Sequence, residues 1–499
     1  MNICRIRSSQ IPLSVKTSIE TSDVKGIKVS GGFARPISLK HVFVIAGILA
    51  ALKLGAGAVT AFYGALGLWL LLGVPQAIQA LSLAVVVKYL NPVLYSYPAG
   101  VGVMGWVIIL LCGFRMLIGS KSRNVKLILP ILGFSLVVAS LFLVQDNKAP
   151  AVSVMKLVLF TYVSCSVVLG SASLSERQAL ELGTWFHSLI ATVVLLSLPL
   201  FAFSDVAYAK NGEGFQGILN HPQSFGPVLA PSSSALLACI FFGKPKKPLI
   251  LFAVILLLIS LMIASQARTA LATVMLSIVA TALVILFKKK RFAQFRIGRF
   301  VIISSLAFIV LSVSVVSSSV LQEKLEAYVY KRGSTDVESA LASRSGGIAA
   351  QWNYFLDHPL TGCGFGVYPW GLGRPDGKAP AVVEFMGLPI SAPVEKGFLP
   401  TAILEETGVL GGLSFAAALI YMTRRVITRQ NTQWLAIFFS CIFVNIGEMG
   451  IFSVGGIGLF YWLLMGIAWR VPADQGTGHI EFVKGRITAA NLSQQLTWR

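Results

Sequence analysis

The feature that most constrains this chain is a succession of apolar segments, separated by short polar connectors. The segments are rich in Leu, Val, Ile and Ala and lack the period-two alternation of barrel strands, so each predicts a helix. A helix of about 20 residues crosses the ~30 Å hydrocarbon core of a bilayer. Only 12% of the residues are charged, whereas a water-soluble domain has about 25%. The sequence therefore predicts an all-α polytopic membrane protein.

We predict twelve transmembrane helices in all. The first lies within 41–88, where Lys53 and several glycines interrupt the apolar run and a second helix is predicted to be interfacial or re-entrant. The other eleven are predicted at 100–118, 125–144, 151–171, 185–204, 226–242, 248–265, 269–287, 299–320, 400–421, 433–452 and 453–470.

The net charge of +21 comes largely from lysine and arginine in short connectors. Such connectors remain in the cytoplasm, which explains the charge without a nucleic-acid partner. This rule predicts that both termini are cytoplasmic. The resulting regions are a basic cytoplasmic tail at 1–40, an N-terminal transmembrane bundle at 41–320, a large periplasmic loop at 321–398, C-terminal transmembrane helices at 399–470 and a second cytoplasmic tail at 471–499.

The large periplasmic loop is predicted to contain an amphipathic helix at 339–356 that lies on the membrane and covers a cavity between the spans. His358 precedes a proline, which disfavours helical geometry, so the helix is predicted to end there. Gly362, Gly364 and Gly366 then predict a flexible turn.

Two arginines are candidate anion-binding residues. Arg268 lies in the outer turn between two predicted spans, and Arg344 lies in the large loop. A guanidinium is permanently charged and matches phosphate oxygens two at a time. Alternatively, Arg268 extends to lipid phosphate and Arg344 is a solvated loop residue.

Other ionisable residues near the outer face have two interpretations each. His221 precedes a proline and either titrates near neutral pH or bonds the backbone of a turn. His358 is interpreted as a helix-ending residue rather than a catalyst. Glu395 and Lys396 form either a surface ion pair or part of a site.

Three carboxylates fall inside predicted spans. Glu405 and Glu406 occupy the first turns of the span after the large loop, where carboxylates are costly unless paired or facing water. Glu448 is predicted inside the span at 433–452, bonding a neighbouring helix.

Four segments between about 200 and 470 occur in a characteristic order. They are GILNHPQSFG at 217–226, ARTAL at 267–271, the set formed by Arg344, Trp352 and PLTGCGFG at 359–366, and LEETGVLG at 404–411. Together with the predicted spans, this set resembles the O-antigen ligase and O-antigen polymerase superfamily of bacterial glycan assembly.

The resemblance implies glycosyl transfer on the periplasmic face of the inner membrane, from an oligosaccharide linked to undecaprenyl pyrophosphate. It favours polymerisation of O-antigen or exopolysaccharide repeats. The alternative is a ligase that attaches glycan to the lipid A core, but ligases of this family usually have a histidine where this chain has Glu395 and Lys396. A flippase or transporter is the alternative from another class, although the sequence shows no inverted pair of broken helices.

The same resemblance suggests roles for the candidate residues. Arg268 and Arg344 would hold the pyrophosphate, and Glu395 or His221 would be the base. Secondary candidates are Glu406, Lys396 and His358. We expect no metal and no cofactor. The expected partners are a lipid-linked donor, a glycan acceptor, membrane lipids and a chain-length regulator or export protein, with no nucleic acid.

Overall fold

The computed structural model describes residues 37–120, 125–210, 212, 214–243, 245, 247–287, 337–372, 383–385, 388–391, 396–429 and 431–472, with backbone alone for 337–345, 383–385 and 388–391. Among the described residues, the regular secondary structure is helical except for one two-stranded antiparallel hairpin. Its strands are β1 (Val383–Phe385) and β2 (Leu388–Ser391).

The described α-helices are numbered in chain order. They are α1 (Leu39–Ala51), α2 (Ala56–Trp69), α3 (Val74–Lys88), α4 (Val101–Gly119), α5 (Leu129–Leu141), α6 (Pro150–Ser173), α7 (Glu176–Ser197), α8 (Ser204–Ala207), α9 (Pro222–Phe242), α10 (Pro248–Ala264), α11 (Arg268–Phe287), α12 (Val337–Asp357), α13 (Leu399–Arg429), α14 (Thr432–Phe443) and α15 (Ile457–Ala468). Short 3-10 turns extend α1, α2, α7 and α14, and a further one, Val125–Leu127, precedes α5.

Within the described residues, six helices are long and apolar enough to cross a membrane: α4, α6, α7 with its 3-10 extension, α9, α11 and α13. The other apolar helices there have 10–17 residues. Large apolar side chains such as Leu136 and Leu413 are 70% and 65% exposed, as expected for helices that face hydrocarbon. The all-helical prediction is thus confirmed for the described residues, six of whose helices are candidates to span a membrane, while the count of twelve spans stays a prediction.

The ambiguous stretch at 41–88 contains α1, α2 and α3. Gly55, with φ 114°, separates the first two, because this backbone conformation is open mainly to glycine. Gly57 and Gly64 lie within α2 and do not interrupt it. The predicted span at 299–320 lies outside the described residues.

The predicted span at 433–452 is wrong in its second half. The 3-10 turn after α14 ends at Ile446, and 447–456 is non-helical before α15 begins. The Asn445 side chain stabilises this exit by accepting a hydrogen bond from the Ile451 N–H at 2.7 Å. Glu448 therefore lies in a connector and not inside an apolar helix.

A cluster of five phenylalanines ties the loop after α12 into the bundle. Their ring centroids are 4.8–6.0 Å apart in the contacting pairs. Because one ring comes from that loop and another from 447–456, the cluster fixes both connectors to the helices. The five are Phe134 of α5, Phe160 of α6, Phe365, Phe415 of α13 and Phe452.

Hydrogen bonds group several connectors at one end of the bundle, here called the upper end. Asn91 N–H donates to the Ile218 carbonyl at 2.8 Å, and Lys88 Nζ donates to the Gly455 carbonyl at 2.6 Å. Phe215 N–H donates to the Ala264 carbonyl at 2.9 Å. The upper end thus comprises 88–100, 142–149, 198–221, 264–268, 358–372 with 396–398, and 447–456.

The remaining connectors meet at the opposite end, the lower end. Arg470 Nε donates to the Leu174 carbonyl at 2.8 Å, and the Tyr421 hydroxyl donates to the Lys126 carbonyl at 3.2 Å. Basic side chains concentrate in these connectors and the adjoining helix ends. They include Lys126, Arg177, Lys247, Arg424, Arg425, Arg429 and Arg470.

Candidate functional site

His221 is the N-cap of α9. Its Nδ1 accepts a hydrogen bond from the Gln223 N–H at 3.0 Å, and Pro222 occupies the first helical position. Burial, with a smaller effect of Lys210, lowers the pKa of His221 below its ordinary value. The half-buried imidazole is therefore neutral at pH 7, and its Nδ1 lone pair is occupied by the cap. The interpretation of His221 as a backbone-bonding residue is confirmed, while its other nitrogen, Nε2, is not used by that bond.

Arg268 is the first residue of α11, directly after a tight turn. Gln266 in this turn has φ 53°, a left-handed conformation that non-glycine residues adopt rarely and that is enriched at functional sites. The turn packs on the start of α9, because a Cβ on Gly226 would collide with the Ala267 side chain. Arg268 is half-buried.

The starts of α9 and α11 are therefore neighbours at the upper end. Gly214 lies between them, since a Cβ there would lie 2.9 Å from both the Pro222 ring and the Ser265 carbonyl. Helix N-termini carry partial positive charge, so the two together with Arg268 favour an anion at this place. Two of the predicted site residues, His221 and Arg268, are brought to one region.

The long helix α13 is broken near its upper end. Gly408 has φ 62° and ψ −169°, so the regular hydrogen-bond pattern is interrupted there. Val409 N–H donates to the Pro359 carbonyl at 2.8 Å instead of to its own helix. A Cβ on Gly408 would collide with the Leu360 backbone, so only glycine allows the loop to come this close.

The loop after α12 fills this break with its own backbone. Cys363 N–H and Gly364 N–H donate to the carbonyls of Glu405 and Glu406 at 2.8 and 3.0 Å. A Cβ on Gly362 would lie 2.6 Å from the Glu405 carbonyl oxygen. The prediction of a flexible turn here is wrong, because the glycines permit close backbone packing and the segment is held on both sides.

A buried charge cluster lies directly under the loop. Lys396 Nζ is 2.7 Å from Glu405 Oε2 and 3.4 Å from Glu406 Oε1, and the three side chains are at most 5% exposed. Glu406 Oε2 accepts a hydrogen bond from the Gly366 N–H at 2.7 Å. The surface ion-pair interpretation of Lys396 is therefore wrong, and Glu405 and Glu406 are paired, as expected for carboxylates at the start of a predicted span.

The electrostatics of the cluster keep Lys396 charged. Burial by itself would lower the pKa of Lys396, but Glu406, Cys363 and Glu405 outweigh burial and raise this pKa above its ordinary value. Burial raises the pKa of the Cys363 thiol to about 12, so the thiol is neutral at physiological pH. The ammonium is 3.9 Å from Cys363 Sγ and 5.3 Å from the centroid of the Tyr368 ring.

The amphipathic helix α12 is confirmed as a helix, and it ends at Asp357, just before His358. Gln351 of α12 is buried, donates to the Lys396 carbonyl at 3.0 Å and accepts from the Thr401 hydroxyl. His358 is exposed and stacks on Tyr354 with ring centroids 4.4 Å apart, in keeping with a helix-ending role.

Two predicted site residues lie partly or wholly outside the described residues. Arg344 lies in α12, but its side chain is outside the described part, and Glu395 lies outside the described residues altogether. Among the described residues, no group of three His, Cys, Asp or Glu side chains could hold a metal ion.

Sequence reasoning missed several residues that build the upper end. Gln145 donates to the carbonyls of Thr361 and Glu406 and so closes the break in α13 from the side of α5. Lys156 of α6 lies beside Gly366, where a Cβ would collide with it. Tyr368 contacts the buried ammonium. Of these residues, Lys156 is the one that the sequence could have indicated, because a lysine inside a predicted apolar span is unusual.

No protein-family model matches this chain, and no curated protein matches it.

Proposed function

We propose that this protein transfers a glycan from an oligosaccharide linked to undecaprenyl pyrophosphate, and that it polymerises O-antigen or exopolysaccharide repeats. The observation that carries the proposal is the separation of polar groups in the bundle. His221, Arg268 and the Lys396 cluster lie at the upper end, whereas the basic connectors lie at the lower end. Such a division suits an enzyme that works on one face of a membrane.

The proposed topology has twelve crossings of the bacterial inner membrane, with the upper end in the periplasm and both termini in the cytoplasm. The lysines and arginines of the lower connectors support this orientation, because such residues remain on the cytoplasmic side. Asp146, Asp205, Glu405 and Glu406 give the upper end a more even charge.

The proposed reaction needs a cation more than a covalent catalyst. An acceptor hydroxyl attacks the anomeric carbon of the donor, the bond from that carbon to the phosphate oxygen breaks, and pyrophosphate leaves on the lipid. Arg268 and the starts of α9 and α11 would stabilise the charge that develops on the pyrophosphate. Arg344 is proposed as the second arginine, and Glu395 or His221 as the base that takes the hydroxyl proton.

The buried cluster has a supporting part in this proposal. Glu406 and Lys396 are shielded from solvent and bound to each other, which argues against either as the base. They would hold the loop at 358–372 rigidly beside the site, and His358 would end the helix that leads into it.

Transport of the same lipid-linked glycan is the second candidate function. The break in α13, with ionisable groups beside it, favours it, because transporters bind substrate at discontinuous helices. Transporters commonly have two discontinuous helices, one in each half of the chain. Among the described helices, no second one has non-helical torsions in its interior as α13 has. We therefore prefer the transferase.

The test uses a deletion strain of the native host, with glycans analysed by gel electrophoresis on the surface and on the lipid carrier. The deletion should leave single exported repeats, and wild-type protein should restore polymer. We expect Arg268→Ala to lower polymer by about 10²–10³-fold, the usual loss when a transition-state donor is removed. Arg268→Lys should restore part of it.

The matched control is Arg177→Ala, which removes an arginine that is 89% exposed at the lower end and should restore full polymer. Full polymer with Arg268→Ala would refute the role of Arg268. In the deletion strain, polymer that stays on the carrier and is absent from lipid A would indicate that the protein is a ligase. Repeats trapped inside the deletion cells would indicate a flippase.

A further inference from the structure

Two aromatic rings stack on each other at the upper end, in the loop after α12. Tyr368 and Trp370 are stacked with an interplanar angle of 2° and ring centroids 5.4 Å apart. Trp370 is 54% exposed. We call these two rings the aromatic platform.

The platform is held rigidly by its own backbone. Tyr368 and Gly371 exchange two hydrogen bonds of 2.9 Å, N–H of each to the carbonyl of the other. Gly371 has φ 103°, which this turn requires and which other residues rarely adopt. Pro369 lies between the two rings in the chain and fixes its own φ.

The platform is also anchored to the buried charge cluster. The Lys396 ammonium lies 5.3 Å from the centroid of the Tyr368 ring, within the range of a cation–π interaction. That ammonium is fixed in turn by Glu405 and Glu406. The stack on Tyr368 thus restricts the Trp370 indole before a ligand binds, which lowers the ordering cost of binding.

We propose that the aromatic platform is a sugar-binding subsite that stacks against the pyranose ring of a glycan repeat. This proposal rests on the proposed function, because the ligand it assigns is the oligosaccharide repeat of that reaction. The C–H face of a pyranose is apolar and nearly flat, so it matches an indole of fixed orientation. Aromatic surfaces with nearby polar groups are typical of small-molecule sites.

Burial of Trp370 in the lipid headgroup region is the competing explanation, since tryptophan is common there. A headgroup anchor needs neither a partner ring at 2° nor a closed turn that fixes its direction. The geometry is better explained by a ligand with a flat face.

The experiment measures saturation-transfer NMR with the protein in lipid nanodiscs. The probe is the free oligosaccharide repeat, released by mild acid from the lipid-linked pool of the host. Wild type should transfer saturation to the sugar ring protons. Trp370→Ala should weaken binding by about tenfold, a loss like that of one aromatic ring that stacks on a nucleobase, and Trp370→Phe should retain most of the binding.

The control is Phe203→Ala, which removes another aromatic residue of the upper end that is 59% exposed, and which should bind as wild type does.

The same variants and Arg268→Ala are tested for polymer in the deletion strain. Equal sugar binding by Trp370→Ala and wild type would overturn the platform, as would an absence of sugar binding by wild type. If either of these results is found but Arg268→Ala abolishes polymer, the proposed function stands without the aromatic platform. If Arg268→Ala leaves the glycan profile unchanged, the proposed function has failed too.

Discussion

At the scale of single residues, Lys396 is the side chain whose replacement we expect to lower the free energy of unfolding strongly. It is the cation that faces two buried carboxylates, and its own side chain is fully buried. Lys396→Met would leave those carboxylates uncompensated, and breaking a buried ion pair from one side costs about 3–5 kcal/mol. We expect a loss of that size in the free energy of unfolding, measured by denaturant titration in detergent.

A matched pair of variants makes this prediction specific. Lys148 also pairs with a carboxylate, Asp146 at 2.6 Å, but its side chain is 53% exposed. Lys148→Met should therefore cost less than about 1 kcal/mol. Adding Glu405→Gln and Glu406→Gln to Lys396→Met should recover part of the loss. Similar losses of unfolding free energy for Lys396→Met and Lys148→Met would show that burial does not determine how much the Lys396 ion pairs contribute to stability.

The sequence identifies the members of this cluster but not their partners. Lys396, Glu405 and Glu406 are conspicuous because charge is rare near the predicted span. The pairing depends on the approach of the loop at 359–364, which no local pattern specifies. It also depends on a bond from the Gly366 backbone, and a backbone N–H carries no sequence signal.

At the scale of elements, the start of α9 depends on the protonation of His221. Its Nδ1 must be unprotonated to accept the Gln223 N–H. Since burial lowers the pKa of folded His221, the unfolded chain binds more protons at mildly acidic pH. The contribution to stability is complete above the unfolded pKa of about 6.5 and is lost as the pH falls through the lower folded value.

We therefore expect the thermal unfolding temperature of wild type to fall between pH 7.5 and 5.5 by more than that of His221→Asn. Asparagine is a good N-cap and does not titrate, so this variant keeps the helix start at both values. His221→Ala should cost about 1 kcal/mol at pH 7.5. An identical pH response in wild type and His221→Asn would exclude the cap as the titrating element.

Hydropathy predicts the long helices well because each must satisfy its backbone inside an apolar solvent. The predicted span at 269–287 and the observed α11 differ by one residue at the start. Hydropathy does not predict the break in α13, because the break leaves the apolar composition of the segment unchanged. The backbone groups at the break are hydrogen-bonded by a loop that is distant in the sequence. Hydropathy also fails near Glu448, where the Asn445 side chain and neighbouring glycines end a helix within an apolar run.

At the scale of the whole molecule, the two ends of the bundle differ in charge, and this difference follows from the sequence. Basic connectors alternate along the chain with neutral ones, and antiparallel packing of consecutive helices collects each kind at one end. The presence of His221 and Arg268 at the same end follows from the same alternation, because His221 precedes α9, Arg268 begins α11, and these helices run in the same direction. Their closeness within that end depends on Gly214 and Gly226, whose role only the packing shows.

This asymmetry predicts which residues are accessible from outside the cell. Lys148→Cys at the upper end and Arg177→Cys at the lower end are a matched pair, since both side chains are more than half exposed. In a Cys4→Ser background the remaining cysteines are Cys112, Cys165, Cys239, Cys363 and Cys441, all buried. A membrane-impermeant maleimide added to cells with a permeabilised outer membrane should label only the variant at position 148. Lysis should expose position 177, and labelling in the reverse order would invert the proposed orientation and place the Lys396 cluster on the cytoplasmic side.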